Sequence, residues 1–132
     1  MNKKEAKILI VDDIEDNRYT LERSLKRDGY ENISLAECGK EALDLVNKSK
    51  FDLILLDLMM PVMNGFEFLK VIRETEFSNI PILVLTGADL SEEEKKFLSG
   101  ETHKILQKSD DTLSTIVNEV GQVIRASSNK GE

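Results

Sequence analysis

The sequence predicts an α/β domain of five βα units, a doubly wound parallel sheet with helices on both faces. Three observations carry that prediction. At 132 residues the chain suits one domain with a single core and is short for two. Three apolar runs, Ile8-Leu9-Ile10-Val11, Leu53-Ile54-Leu55-Leu56 and Ile82-Leu83-Val84-Leu85, are continuous rather than alternating, as parallel strands buried on both faces are. Segments of helical period lie between them, and an alternation of strand and helix forces right-handed crossovers that cover both sides of the sheet.

The elements follow in order. After the first run, Leu21 and Leu25 stand one helical turn apart. Ile33-Ser34-Leu35-Ala36 reads as a weaker strand and leads to a helix through Ala42, Leu45 and Val46. The run at 53–56 precedes a helix carrying Phe66, Leu69 and Ile72. The run at 82–85 precedes a helix that starts at Ser91, whose hydroxyl caps it while Glu94 completes a capping box, and that ends near Gly100. Lys104-Ile105-Leu106-Gln107 is polar enough for an edge strand, and Leu113, Ile116, Val117, Val120 and Ile124 form the stripe of a last amphipathic helix. The domain is expected to occupy residues 1–126, with 127–132 as a polar tail or linker.

Composition removes several function classes. With 40% hydrophobic and 33% charged residues, and only 7 Gly and 2 Pro, the chain has the makeup of a folded globule. A formal charge of −7 opposes direct binding to nucleic acid, which needs clustered Lys and Arg. Cys38 stands alone, so neither an internal disulfide nor a Cys-based zinc site is available, as suits a reducing compartment. The apolar run Ile8 to Val11 is too short for a signal sequence or a membrane span. A cytoplasmic location without membrane insertion is expected.

In open α/β sheets the crevice beyond the carboxyl ends of the strands holds the site. Asp12 and Asp13 follow the first run, Asp57 the run at 53–56, Thr86 the run at 82–85, and Lys108 the last strand. All five should converge. Three crowded carboxylates repel one another unless a cation neutralises them, and hard oxygen ligands favour Mg²⁺. Capping of the first helix accounts for Asp16 and Asn17 but leaves Asp57 unexplained. An ionised group ending an aliphatic strand has no structural purpose there, whereas a fixed carboxylate beside a metal is a workable nucleophile toward phosphorus. The Lys108 ammonium would balance charge and hold a phosphoryl oxygen, and the Thr86 hydroxyl would donate to another. His103 reads as a surface residue, and Met59, Met60 and Met63 as packing around a loop.

Three other readings compete with this one. A phosphoaspartate hydrolase typically has a second acid two residues after its nucleophile, where this chain has Met59. A flavin-binding domain of the same architecture needs a Gly/Ser/Thr-rich phosphate loop, where Asp12 to Asp16 would repel the phosphate. A third reading keeps the fold as an interaction domain independent of phosphorylation.

The motifs Ile8-Leu9-Ile10-Val11-Asp12-Asp13, Asp57-Leu58-Met59-Met60-Pro61-Val62-Met63-Asn64-Gly65, Leu85-Thr86-Gly87-Ala88 and Lys108 together resemble response-regulator receiver domains, over about residues 6 to 125. The resemblance implies a flavodoxin-like sheet of order 2-1-3-4-5 and a phosphoaspartate switch of two-component or phosphorelay signalling, one that assists its own phosphorylation and dephosphorylation rather than acting as an enzyme. It implies Asp57 as acceptor, Asp13 and Asp57 as direct Mg²⁺ ligands, Asp12 as a ligand through water, the Met59 carbonyl as a further ligand, and Lys108 and Thr86 on the phosphoryl group. The partners it implies are a sensor or hybrid histidine kinase or a phosphotransfer protein, and a downstream protein or attached output domain; homodimer formation stays open. The stretch from Ser91 to Gly100, with residues 105–109, is similar to receivers attached to hybrid histidine kinases or to nucleotide-cyclase modules. Two positions depart from the family: Ser109 replaces the Pro after the lysine, and Ile105 stands where Tyr or Phe often serves as a rotamer switch.

Overall fold

The computed structural model describes residues 2–57, 65–74, 80–86, 90–101, 104–107 and 113–130. Strand and helix alternate along it as β1 (Lys7–Val11), α1 (Glu15–Arg27), β2 (Asn32–Ala36), α2 (Gly39–Lys48), β3 (Leu53–Asp57), α3 (Gly65–Arg73), β4 (Ile82–Thr86), α4 (Glu92–Glu101), β5 (Lys104–Gln107) and α5 (Leu113–Lys130). The strands pair in parallel in the order β2-β1-β3-β4-β5, as the sequence and its family resemblance lead one to expect.

The continuous apolar runs are explained by their neighbours. Successive side chains of a strand point to opposite faces, and here each face carries its own core. Leu9, Val11, Ile54, Leu56, Ile82 and Val84 pack under α2, α3 and α4, against Ala42, Val46, Phe68, Leu69, Ile72 and Leu98. Ile8, Ile10, Leu53, Leu55, Leu83 and Leu85 pack under α1 and α5, against Leu21, Leu25, Ile116, Val120, Val123 and Ile124. Every residue of β3, the middle strand, is buried, and each fully buried Leu or Ile contributes roughly 1.5–3 kcal/mol. The weaker runs lie at the edges, where β2 is only half-buried along most of its length.

The helix ends show where local chemistry suffices. At α4 the Ser91 N–H donates to Glu94 Oε1 at 2.8 Å and the Glu94 N–H donates to Ser91 Oγ at 3.1 Å, the expected capping box. At α5 the stripe differs: Ile116, Val120, Val123 and Ile124 are buried, while Leu113 is 41% exposed because it stands at the lip of a cavity between α1 and α5. α5 also runs on to Lys130, through 127–130, where the sequence suggests a polar tail. No Gly or Pro lies between Gln122 and Lys130 to stop it.

Candidate functional site

β1 feeds α1 on one face of the sheet and β3 feeds α3 on the other. Their chain continuations therefore part at the carboxyl ends and leave a crevice at the switch point of the strand order. Val11 pairs with Leu56, so Asp12 and Asp57 come next on adjacent strands. By alternation Asp12 continues the face of Ile8 and Ile10, and Asp57 that of Leu53 and Leu55. Asp12 is 2% and Asp57 5% exposed; Asp13, one residue on, is exposed. One carboxylate oxygen from each of Asp12, Asp13 and Asp57 lies within 4.8 Å of the other two.

This donor set fits Mg²⁺. Oxygens around an octahedral Mg²⁺ at about 2.0–2.1 Å sit roughly 3 Å apart when adjacent and roughly 4 Å apart when opposite. Three carboxylate oxygens this close can share one such ion, directly or through a water molecule. Without a cation they cost energy, since two unit charges at that separation repel by about 3 kcal/mol at an effective dielectric constant near 20.

Asp12 is held at each of its polar groups. Its N–H donates to the Ala36 carbonyl at 3.1 Å. Its Oδ1 accepts the Ile14 N–H at 2.9 Å and its Oδ2 accepts the Asn17 amide at 3.4 Å. Its carbonyl accepts the Arg18 Nη1–H at 2.7 Å. With protein donors already on both carboxylate oxygens, Asp12 suits a ligand acting through water. Asp13, by contrast, makes no hydrogen bond or ion pair among the described residues. A cavity of about 230 Å³ opens beside Asp12 between α1 and α5, lined further by Thr20, Leu21, Leu85, Leu113 and Ile116.

Residues 8–118 match the family described as the response regulator receiver domain. The chain belongs to that family. As a receiver domain it is similar to the response regulator MprA of Mycolicibacterium vanbaalenii, 44% identical over 84 residues, a match that covers 64% of this chain and 36% of that protein. The chain thus spans about a third of the length of such relatives. Among solved structures, the Vibrio cholerae chemotaxis protein CheY4 superposes with a TM-score of 0.79 at 35% identity, covering 89% of this chain and 98% of that one. The Francisella response regulator 1452 receiver domain does so with a TM-score of 0.83 at 25% identity, covering 93% and 99%.

Of the receiver residues singled out from sequence, Asp12, Asp13 and Asp57 come together. Thr86 ends β4 opposite Gln107 of β5, the residue before Lys108. Lys108, Met59, Met60, Met63, Gly87, Ala88, His103 and Ser109 lie outside the described residues. Ile105 is half-buried on the α2, α3 and α4 side. The capping role considered for Asp16 and Asn17 is corrected: α1 has Ile14 at its N-cap with no side-chain cap, because Asp12 takes the Ile14 N–H and the Asn17 amide turns to Asp12. Sequence reasoning missed Arg18. The signal was its place in the α1 stripe, since Arg18, Leu21 and Leu25 are the buried residues of that helix.

No helix among the described residues is long and apolar enough to cross a membrane.

Proposed function

We propose that this receiver domain accepts a phosphoryl group on Asp57 in a Mg²⁺-dependent transfer from a phosphohistidine and thereby switches a partner-binding surface. The observation that carries the reading is a carboxylate buried at the end of an otherwise aliphatic strand, with two further carboxylates within 4.8 Å. Burial fixes Asp57 at the end of β3, and the end of β1 holds its two carboxylate neighbours beside it.

In the transfer an Asp57 carboxylate oxygen attacks phosphorus in line. The new P–O bond forms as the P–N bond breaks, and the electron pair departs with the imidazole nitrogen. Asp13, Asp57 and the Met59 carbonyl, with Asp12 acting through water, would hold Mg²⁺, which would supply positive charge to offset that on the phosphoryl oxygens. Lys108 supplies a compact positive charge to one of those oxygens, and Thr86 a hydroxyl donor to another. The product carries about −1.5 to −2 of added charge, which draws Thr86 and its loop inward and shifts an existing equilibrium at α4 and β5. Ile105 has no hydroxyl, so it cannot report the state as an aromatic rotamer switch with a hydroxyl would.

This makes the domain a phosphoacceptor switch that assists its own phosphorylation and dephosphorylation. Its partners are a sensor or hybrid histidine kinase or a phosphotransfer protein, and a downstream protein or attached output domain, a reading supported by its membership of the receiver-domain family. The reading puts it in the cytoplasm. Incubation with Mg²⁺ and acetyl phosphate, followed by intact mass, is expected to give a phosphoryl adduct that is lost in Asp57→Asn and without Mg²⁺. Absence of both an adduct and beryllofluoride binding would instead indicate an interaction domain that works without phosphorylation.

A further inference from the structure

We infer that Arg18 is a positioning residue for the acidic site, clamping the main chain of Asp12 so that the three carboxylates keep the spacing a divalent cation needs. The inference rests on the metal-dependent reading above and adds to it a residue outside the acidic set.

Arg18 is 8% exposed on the sheet side of α1. Burying a guanidinium costs several kcal/mol unless partners offset it, so its contacts should have a purpose. It makes two. Nη1–H donates to the Asp12 carbonyl at 2.7 Å, a short charge-assisted bond in a dry setting. Nη2 reaches Glu37 Oε1 at 3.5 Å, a long ion pair to a side chain that is 69% exposed and that contributes little. The dominant contact is therefore the Asp12 carbonyl. The Asp12 N–H is tied to Ala36 at the end of β2, and Glu37 is the next residue. Arg18 thus closes a bracket from α1 across the end of β1 to the end of β2. With the carbonyl held from one side and the N–H from the other, the peptide planes flanking Asp12 are fixed, and with them the direction in which its carboxylate and the next residue, Asp13, leave the strand.

A second effect of Arg18 runs the other way. Its positive charge, close behind the site, opposes a cation electrostatically. Positioning and charge therefore predict opposite signs, which makes the inference testable without any phosphorylation assay. Mg²⁺ affinity would be measured by NMR titration on the wild type, on Arg18→Met, which keeps an apolar stem and loses the donors, on Arg18→Lys, which keeps the charge and loses the fork, and on Arg23→Met, an exposed change of equal charge on the same helix. Loss of a group that orients a metal ligand commonly weakens binding by about 10–100-fold; acting through the main chain, Arg18 belongs at the low end. The expected result is about tenfold weaker Mg²⁺ binding in Arg18→Met, an intermediate loss in Arg18→Lys and no change in Arg23→Met. Tighter or unchanged binding by folded Arg18→Met and Arg18→Lys would overturn the inference, the latter reducing Arg18 to a stability residue. If Arg18→Met does not fold, Arg18→Lys decides alone. Failure of the wild type to bind Mg²⁺ would overturn the underlying metal-dependent reading instead.

Discussion

Replacing Asp57 with Asn should make the metal-free domain more stable. The substitution keeps the shape of the side chain and removes one negative charge from a buried group whose carboxylate neighbours lie within 4.8 Å. The Coulomb repulsion of one such pair is about 3 kcal/mol at an effective dielectric constant near 20. Asp12 and Asp57 also make other polar interactions, and Asp13 is screened by solvent, so the net gain should be about half of that. A gain of about 1.5 kcal/mol raises Tm by roughly 6 °C for a domain of this size. Urea unfolding followed by circular dichroism, in low salt with EDTA, reads the difference directly. Adding Mg²⁺ should then close the gap, since a ligand at ten times its Kd stabilises the form that binds it by about 1.4 kcal/mol, and the variant has lost a ligand charge. An Asp57→Asn protein that is less stable than wild type in EDTA, or that Mg²⁺ stabilises to the same extent, would refute the argument that the site is a cluster of repelling carboxylates awaiting a cation.

The remaining predictions concern the rest of the fold. Tyr30 is 1% exposed and its buried hydroxyl has no hydrogen-bond partner among the described residues; burial, reinforced by Asp28 and opposed by Arg125, pushes its pKa above the ordinary 10.0. A folded pKa above the unfolded one means that the stability this proton contributes is complete below about pH 10 and is lost as pH rises through the folded value. Tyr30→Phe should therefore unfold at a urea concentration equal to or higher than wild type at pH 8, by up to about 1 kcal/mol, and should lose less stability between pH 8 and pH 11; a marked loss at pH 8 would show that the hydroxyl is satisfied after all. Ser91→Ala removes the side-chain acceptor of the α4 capping box and should cost about 1 kcal/mol, with amide exchange accelerated in the first turn of α4 and unaltered in β3.

How much was legible in advance depended on the range of the forces involved. The strands and their order in sequence follow from runs such as Leu53 to Leu56, because only a doubly covered strand tolerates unbroken aliphatic residues. The α4 capping box was legible because Ser91 and Glu94 are three residues apart and need nothing else. The start of α1 was not. Asp16 and Asn17 have the chemistry of caps, yet the Ile14 N–H is taken by Asp12, a residue of the preceding turn whose orientation depends on Ala36 and Arg18, far along the chain or on another element. Leu113 has the right spacing for the α5 stripe and nevertheless lies open, because burial there depends on how α1 and α5 meet.

The sequence by itself determined the alternation of strand and helix, the apolar cores on both faces and the residue types that end each strand, since these depend on period, capping and turn chemistry within a few residues. The convergence of Asp12, Asp13 and Asp57 was expected from the strand ends they follow; only the tertiary structure decided that Asp12 is clamped through its main chain and that a buried arginine does the clamping. Those facts depend on the β1 to β3 register and on the packing of α1 against the ends of β1 and β2, where residues tens of positions apart meet at hydrogen-bond distance.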